Sequence, residues 1–170
     1  MAAGSSGLLA SCGGGVVRTW MQDLTPFGEV VVDGRTARLS RGGDVMAVAH
    51  GVGVSVCSVP RSSVVCPLVC REDGGEVECC DVDRSGRLVC GASDALTIWD
   101  VKKQKVARSF CGRRAKTACA FEATGACVAS GDLDGVVELH AIKASKVIAE
   151  LRGGGRRGAT RSVDFSPTRP

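Results

Sequence analysis

The sequence predicts an all-β chain built from repeated small sheets, and three observations carry that reading. Glycine supplies 23 of the 170 residues, aromatics only 4%, and tyrosine is absent. With valine recurring in short runs, this composition favours brief strands joined by tight turns over long helices. Four segments then repeat one pattern: small residues, a turn containing Gly or Asp, an alternating apolar strand and a bulky or special terminal residue. At 17.5 kDa and 44% hydrophobic residues, the chain has a one-domain length and enough apolar mass for a packed core.

The first repeat runs from Leu9 to Trp20 and the second from Ala47 to Cys57. The third, Val89 to Asp100, carries Trp99, and the fourth runs from Val128 to His140. Their end positions, 20, 57, 99 and 140, lie 37, 42 and 41 residues apart. A period near forty with several short strands per unit is the sequence form of a propeller blade rather than of a helical solenoid. Landmarks at the same pitch support it: Cys80 to Gly86, Ala120 to Gly125 and Val163 to Pro167 each suggest a buried strand ending in a turn. The hairpin Asp132-Leu-Asp-Gly135 supplies residues able to take positive φ, and Lys102 to Lys105 is a polar loop tip. The expected architecture is therefore an incomplete β-propeller spanning residues 1–170. It has about four four-stranded antiparallel blades and the first strand of a fifth at 161–170.

Several function classes are disfavoured. A net charge of +4, evenly spread, lacks the concentrated basic face of a nucleic-acid binder. The uncharged stretch Val45 to Pro60 is broken by Gly51 and Gly53 and is too short to span a bilayer as a helix. Met1 to Val17 has no basic n-region, so a cytoplasmic or nuclear setting is expected. Most of the ten cysteines sit inside apolar runs, where a reduced thiol is a small buried hydrophobe. Only Cys66, Cys70, Cys79 and Cys80 have ligand-like spacing, and adjacent strand residues point to opposite faces, which makes a shared tetrahedral zinc site awkward. A cysteine-based metal or redox module is the alternative from a different class, and no cofactor is expected.

At Leu96-Thr-Ile-Trp99-Asp100 the chain resembles the WD-repeat family of β-propellers. The match is uneven, since Trp20 is followed by Met21 and His140 stands in the place of Trp. The resemblance implies structural roles for Trp20, Trp99 and the hairpin aspartates Asp94 and Asp134. It also implies that Gly112-Arg113 and Gly155-Arg156 replace the family's Gly-His pair, with Arg113 bonding Asp134 through a charge-assisted contact. Within the family, Leu88 to Phe110 and Val128 to His140 are most similar to adaptors that attach the γ-tubulin ring complex to centrosomes and spindles. That implies a non-catalytic scaffold whose partners are proteins: γ-tubulin complexes, or centrosomal and spindle components. The alternative within the class is a generic scaffold or substrate-receptor subunit. Seven blades are the family norm, so the open flank would pair with further blades or with another chain.

Other candidates have plainer readings. Trp20 and Trp99 end third strands, where Trp is usually core, and His50 and His140 lack a nucleophile motif. Glu76, Glu78, Asp81 and Asp83 are expected on one solvated strand face. The triple glycines at 13–15 and 153–155 lack the lysine and hydroxyl of a phosphate loop. Arg113, Arg114, Lys116, Arg156 and Arg157, with Arg152 and Arg161, fall in equivalent inter-blade loops and are candidates for a basic patch facing an acidic partner.

Overall fold

The computed structural model describes residues 2–3, 7–51, 53–69, 76–153 and 158–166. Sixteen strands form four antiparallel four-stranded sheets, and the described residues contain no helix. Blade 1 comprises β1 (Ala2–Ala3), β2 (Leu9–Gly13), β3 (Val16–Trp20) and β4 (Pro26–Val31). Blade 2 comprises β5 (Thr36–Leu39), β6 (Val45–His50), β7 (Gly53–Ser58) and β8 (Ser63–Val69). Blade 3 comprises β9 (Cys79–Val82), β10 (Leu88–Ala92), β11 (Ala95–Asp100) and β12 (Lys105–Cys111). Blade 4 comprises β13 (Lys116–Phe121), β14 (Cys127–Asp132), β15 (Val136–Ala141) and β16 (Lys146–Arg152). Each sheet is a meander in chain order, and the sheets together form an incomplete β-propeller.

Strand alternation explains why the middle blades are apolar on both faces. On β6, Met46 and Val48 pack toward blade 1, whereas Ala47 and Ala49 pack toward blade 3. On β11, Trp99 enters the seam with blade 2 while Leu96 and Ile98 enter the seam with blade 4. The core is thus three inter-blade seams rather than one central cluster, and a strand covered on both sides needs no polar face. The outermost strand of blade 4 shows the opposite limit: every residue of β16 is exposed.

A backbone device recurs in all four blades. The ladder between third and fourth strands shifts register at Thr19/Trp20, Val56/Cys57, Ile98/Trp99 and Leu139/His140. In each case the fourth strand carries one extra residue, respectively Phe27, Val65, Ala107 and Ile148. Two positions before each bulge partner, the chain adopts positive φ at Leu24, Ser62, Gln104 and Ser145. The bulge absorbs the extra residue and increases local twist, so the strand bends at the same place in every blade. The four end positions read from the sequence are these four bulge sites.

Successive blades are also stitched through backbone. Val77 N–H donates to Gly51 O (2.7 Å) and Lys116 N–H to Ser93 O (2.6 Å), each joining the start of a blade to the residue that follows the preceding blade's second strand. Thr160 N–H makes the corresponding link to Asp132 O at 2.9 Å, and Thr117 Oγ1 donates to Thr160 O at 2.6 Å. Residues 158–166 therefore occupy the place where a fifth blade would begin. They form no ladder, because a ladder requires a second strand of the same sheet and the described residues hold none; the rest of the expected strand, 167–170, lies outside the described residues.

Candidate functional site

The site is built from the ends of the third strands. The residue two positions earlier, Arg18, Thr97 or Glu138, pairs across the ladder with Ser11, Gly91 or Ser130 on the second strand. This register fixes what each terminal side chain meets. Trp20 donates its Nε1–H to Ser11 Oγ at 3.0 Å and is half-buried. Trp99 is only 2% exposed and lies over Gly91, where an added Cβ would sit 3.2 Å from the indole. Gly91 thus leaves the room that Trp99 fills. Cys57 at the same place in blade 2 is fully buried, and burial pushes its thiol up to about 11.

Blade 4 replaces this apolar arrangement with a polar one. His140 is 1% exposed, with Nε2 2.8 Å from Ser130 Oγ and its ring centroid 4.5 Å from that of Phe110. Its Nδ1 is buried and has no hydrogen-bond partner among the described residues. Burial lowers its pKa to about 4, against an opposing pull from Glu138. Beside it, the fully buried Lys116 donates from Nζ to Glu138 at 2.6 Å. Lys116 was expected in a solvated basic patch and is instead a core residue. It opens β13 in the inter-blade packing, and the carboxylate that offsets its burial lies 22 residues away.

Above this pair is a polar cavity of about 220 Å³ lined by Arg113, Arg114, Asp132, Asp134, Glu150 and Arg152, among others. Asp134 accepts from Arg114 Nε at 3.0 Å, so the contact expected of Arg113 is made by its neighbour. Arg152 Nε donates to Glu150 at 2.6 Å, and Asp132 accepts from the backbone N–H groups of Asp134 and Val136, both at 2.9 Å. The basic side chains here are interleaved with carboxylates, and the surface is mixed in charge. Arg156 and Arg157 lie outside the described residues. Asp94 is exposed in the turn between β10 and β11.

The acidic stretch divides. Glu76 and Glu78 are exposed and both pair with Arg35 of the preceding blade, Glu78 at 3.5 Å. Asp83 is buried and caps its turn, accepting from the N–H groups of Arg87 (2.8 Å) and Leu88 (2.6 Å). Asp81 accepts the Phe121 N–H of blade 4 at 2.7 Å, and burial raises its pKa to about 6. The shared solvated face expected for these four therefore holds only for the two glutamates. Asp81 and Asp83 lie on the first strand of a blade and just beyond it, where both sides are covered.

Cys66, Cys79 and Cys80, three of the four cysteines with ligand-like spacing, do not converge. Cys66 Sγ faces Pro67 O and Cys80 Sγ faces Thr36 O, each at 3.7 Å, while Cys79 Sγ lies 3.3 Å from Cys119 Sγ in blade 4. Cys79 and Cys80 point to opposite neighbouring blades, as alternation requires. Cys70 lies outside the described residues. Among the described residues, no group of three or more His, Cys, Asp or Glu side chains is placed to hold a metal ion.

Sequence reasoning missed Ser11, Ser130, Glu138 and Cys119. The two serines had a signal: each lies nine or ten residues before the terminal side chain it bonds. His50 is likewise bonded to a serine, Ser55 Oγ, at 2.9 Å. No family model matches the chain, and no curated protein is similar enough to it to count as a relative.

Proposed function

We propose that this chain is a non-catalytic interaction scaffold, the propeller part of a WD-repeat adaptor that recruits γ-tubulin complexes to centrosomes and spindles for microtubule nucleation. The observation that carries the scaffold reading is the repeated corner: four blades bend at Trp20, Cys57, Trp99 and His140, with the same bulge and the same positive-φ turn. A frame of that regularity holds loops at fixed intervals, which suits multi-point protein contact. The γ-tubulin assignment rests on the resemblance of Leu88 to Phe110 and Val128 to His140, both within blades 3 and 4. Both histidines are tied to serines, which favours a structural role for them.

The partners in this reading are proteins rather than nucleic acid or lipid, and the site of action is cytoplasmic, at the centrosome and spindle. The surface offered is the mixed-charge ground around Arg113, Arg114 and Asp134, together with the exposed outer face of blade 4. The test is affinity capture from mitotic extract with the tagged chain. Recovery of γ-tubulin and its complex components supports the assignment; recovery of a ligase or another assembly without them replaces it with the generic scaffold. Reversing Arg113 and Arg156 to Glu together should reduce capture at low salt, and unchanged capture would exclude those residues from the contact.

A further inference from the structure

The first strands of blades 3 and 4 bring two thiols together. Cys79 of β9 and Cys119 of β13 are 40 residues apart in sequence, and their sulfurs are 3.3 Å apart. Cys79 is partly exposed and Cys119 buried, and both thiols are free. Cys90 of β10 is buried in the same seam. A disulfide needs the sulfurs at about 2.0 Å, so the two side chains must close by a little over 1 Å, between strands already joined by the Asp81 to Phe121 hydrogen bond.

The geometry points to a modification site: Cys79 and Cys119 are oxidised by a peroxide to a disulfide that staples blade 3 to blade 4. The partly exposed Cys79 is the sulfur an oxidant reaches. Its thiol gives up a proton, the thiolate attacks one peroxide oxygen and the O–O bond breaks; the leaving hydroxide takes that proton, so the products are a Cys79 sulfenic acid and water. Cys119 then attacks that sulfur, the S–O bond breaks, a second water leaves and the S–S bond forms. Two thiols thus lose two electrons to one hydrogen peroxide, which becomes two waters. The contact with Cys119 and burial both hold the Cys79 thiol protonated, so the step is slow, suited to a lasting cross-link and unsuited to turnover. This inference does not depend on which partner the scaffold serves.

The test treats the folded 170-residue chain with hydrogen peroxide, alkylates the remaining thiols and maps the peptides by mass spectrometry. The expected result is a loss of about 2 Da, reversed by dithiothreitol, with one cross-link between Cys79 and Cys119. Cys79→Ser and Cys119→Ser should each abolish it, and Cys127→Ser, in the same tryptic peptide as Cys119, should not. Mapping the unsubstituted chain decides the matter even if a variant fails to fold. A cross-link between other cysteines, over-oxidation of Cys79 without a cross-link, or ten alkylated thiols after treatment would each overturn the proposal.

Discussion

At the end of the third strand, blade 3 places Trp99 and blade 4 places His140, and the two corners share one backbone while differing in chemistry. Both lie at a register shift, and both follow a residue paired two positions back to the second strand. Trp99 is packed over Gly91 in an apolar seam covered by blade 2. His140 is bonded to Ser130 and sits beside a buried lysine and its carboxylate. The repeat is thus defined by the bulge and the turn after it, which all four blades share, while the terminal side chain and its second-strand partner differ from blade to blade. The fully buried indole of Trp99 has a glycine opposite, while Trp20 and His140 each bond a serine hydroxyl through a ring nitrogen.

Emptying the apolar corner has the largest expected effect. Trp99→Ala should destabilise the chain by about 3–5 kcal/mol in urea unfolding, because no neighbour can collapse into the space. Gly91→Ala, which puts a Cβ 3.0 Å from Val54 and 3.2 Å from the indole, should cost about 1–3 kcal/mol.

Acid tests the polar corner, with the sign set by direction. The imidazole of His140 has a folded pKa of about 4 against 6.5 unfolded, so its contribution is present above 6.5 and is lost as pH falls toward 4. Asp81 is raised from 3.8 to about 6, so its contribution is present below 3.8 and is lost as pH rises through 6. The two oppose each other in one window, each on the order of 3 kcal/mol at most. Relative to the unsubstituted chain, His140→Gln should gain stability between pH 6.5 and 4, and Asp81→Asn should lose it. Parallel pH profiles for all three proteins would contradict both assignments.

Removing Glu138 separates charge from packing. Glu138→Ala leaves Lys116 buried and unpaired and should cost about 2–3 kcal/mol, while the double replacement Lys116→Met with Glu138→Leu should cost less than the single change. The smallest effect belongs to the cavity rim: Arg114→Ala breaks an exposed ion pair with Asp134 and should change stability by less than about 1 kcal/mol.

What could be read from the sequence was local. Alternating apolar runs and Gly or Asp turns located the third strands, because both signals act within a few residues. The positive-φ turns were hidden, since Leu24, Ser62, Gln104 and Ser145 occupy positions usually marked by glycine or asparagine. The exposed β16, Lys-Val-Ile-Ala-Glu-Leu-Arg, has no buried face to impose alternation and was not visible as a strand. Lys116 looked like a loop charge because its partner is 22 residues away, and Cys119 looked like an isolated hydrophobe because its neighbour belongs to another blade. Contacts between blades are not written in any short window of the chain.

The extra residue in each fourth strand has one further consequence. Inserting a residue inverts which side chains point up and which point down, so an outer strand bearing Val147, Ile148 and Leu151 cannot present one straight, greasy margin to a passing molecule. The bulge at Ile148 interrupts the regular edge on which a second strand would pair. Deleting that residue would straighten the border of the protein into a template on which other chains could stack.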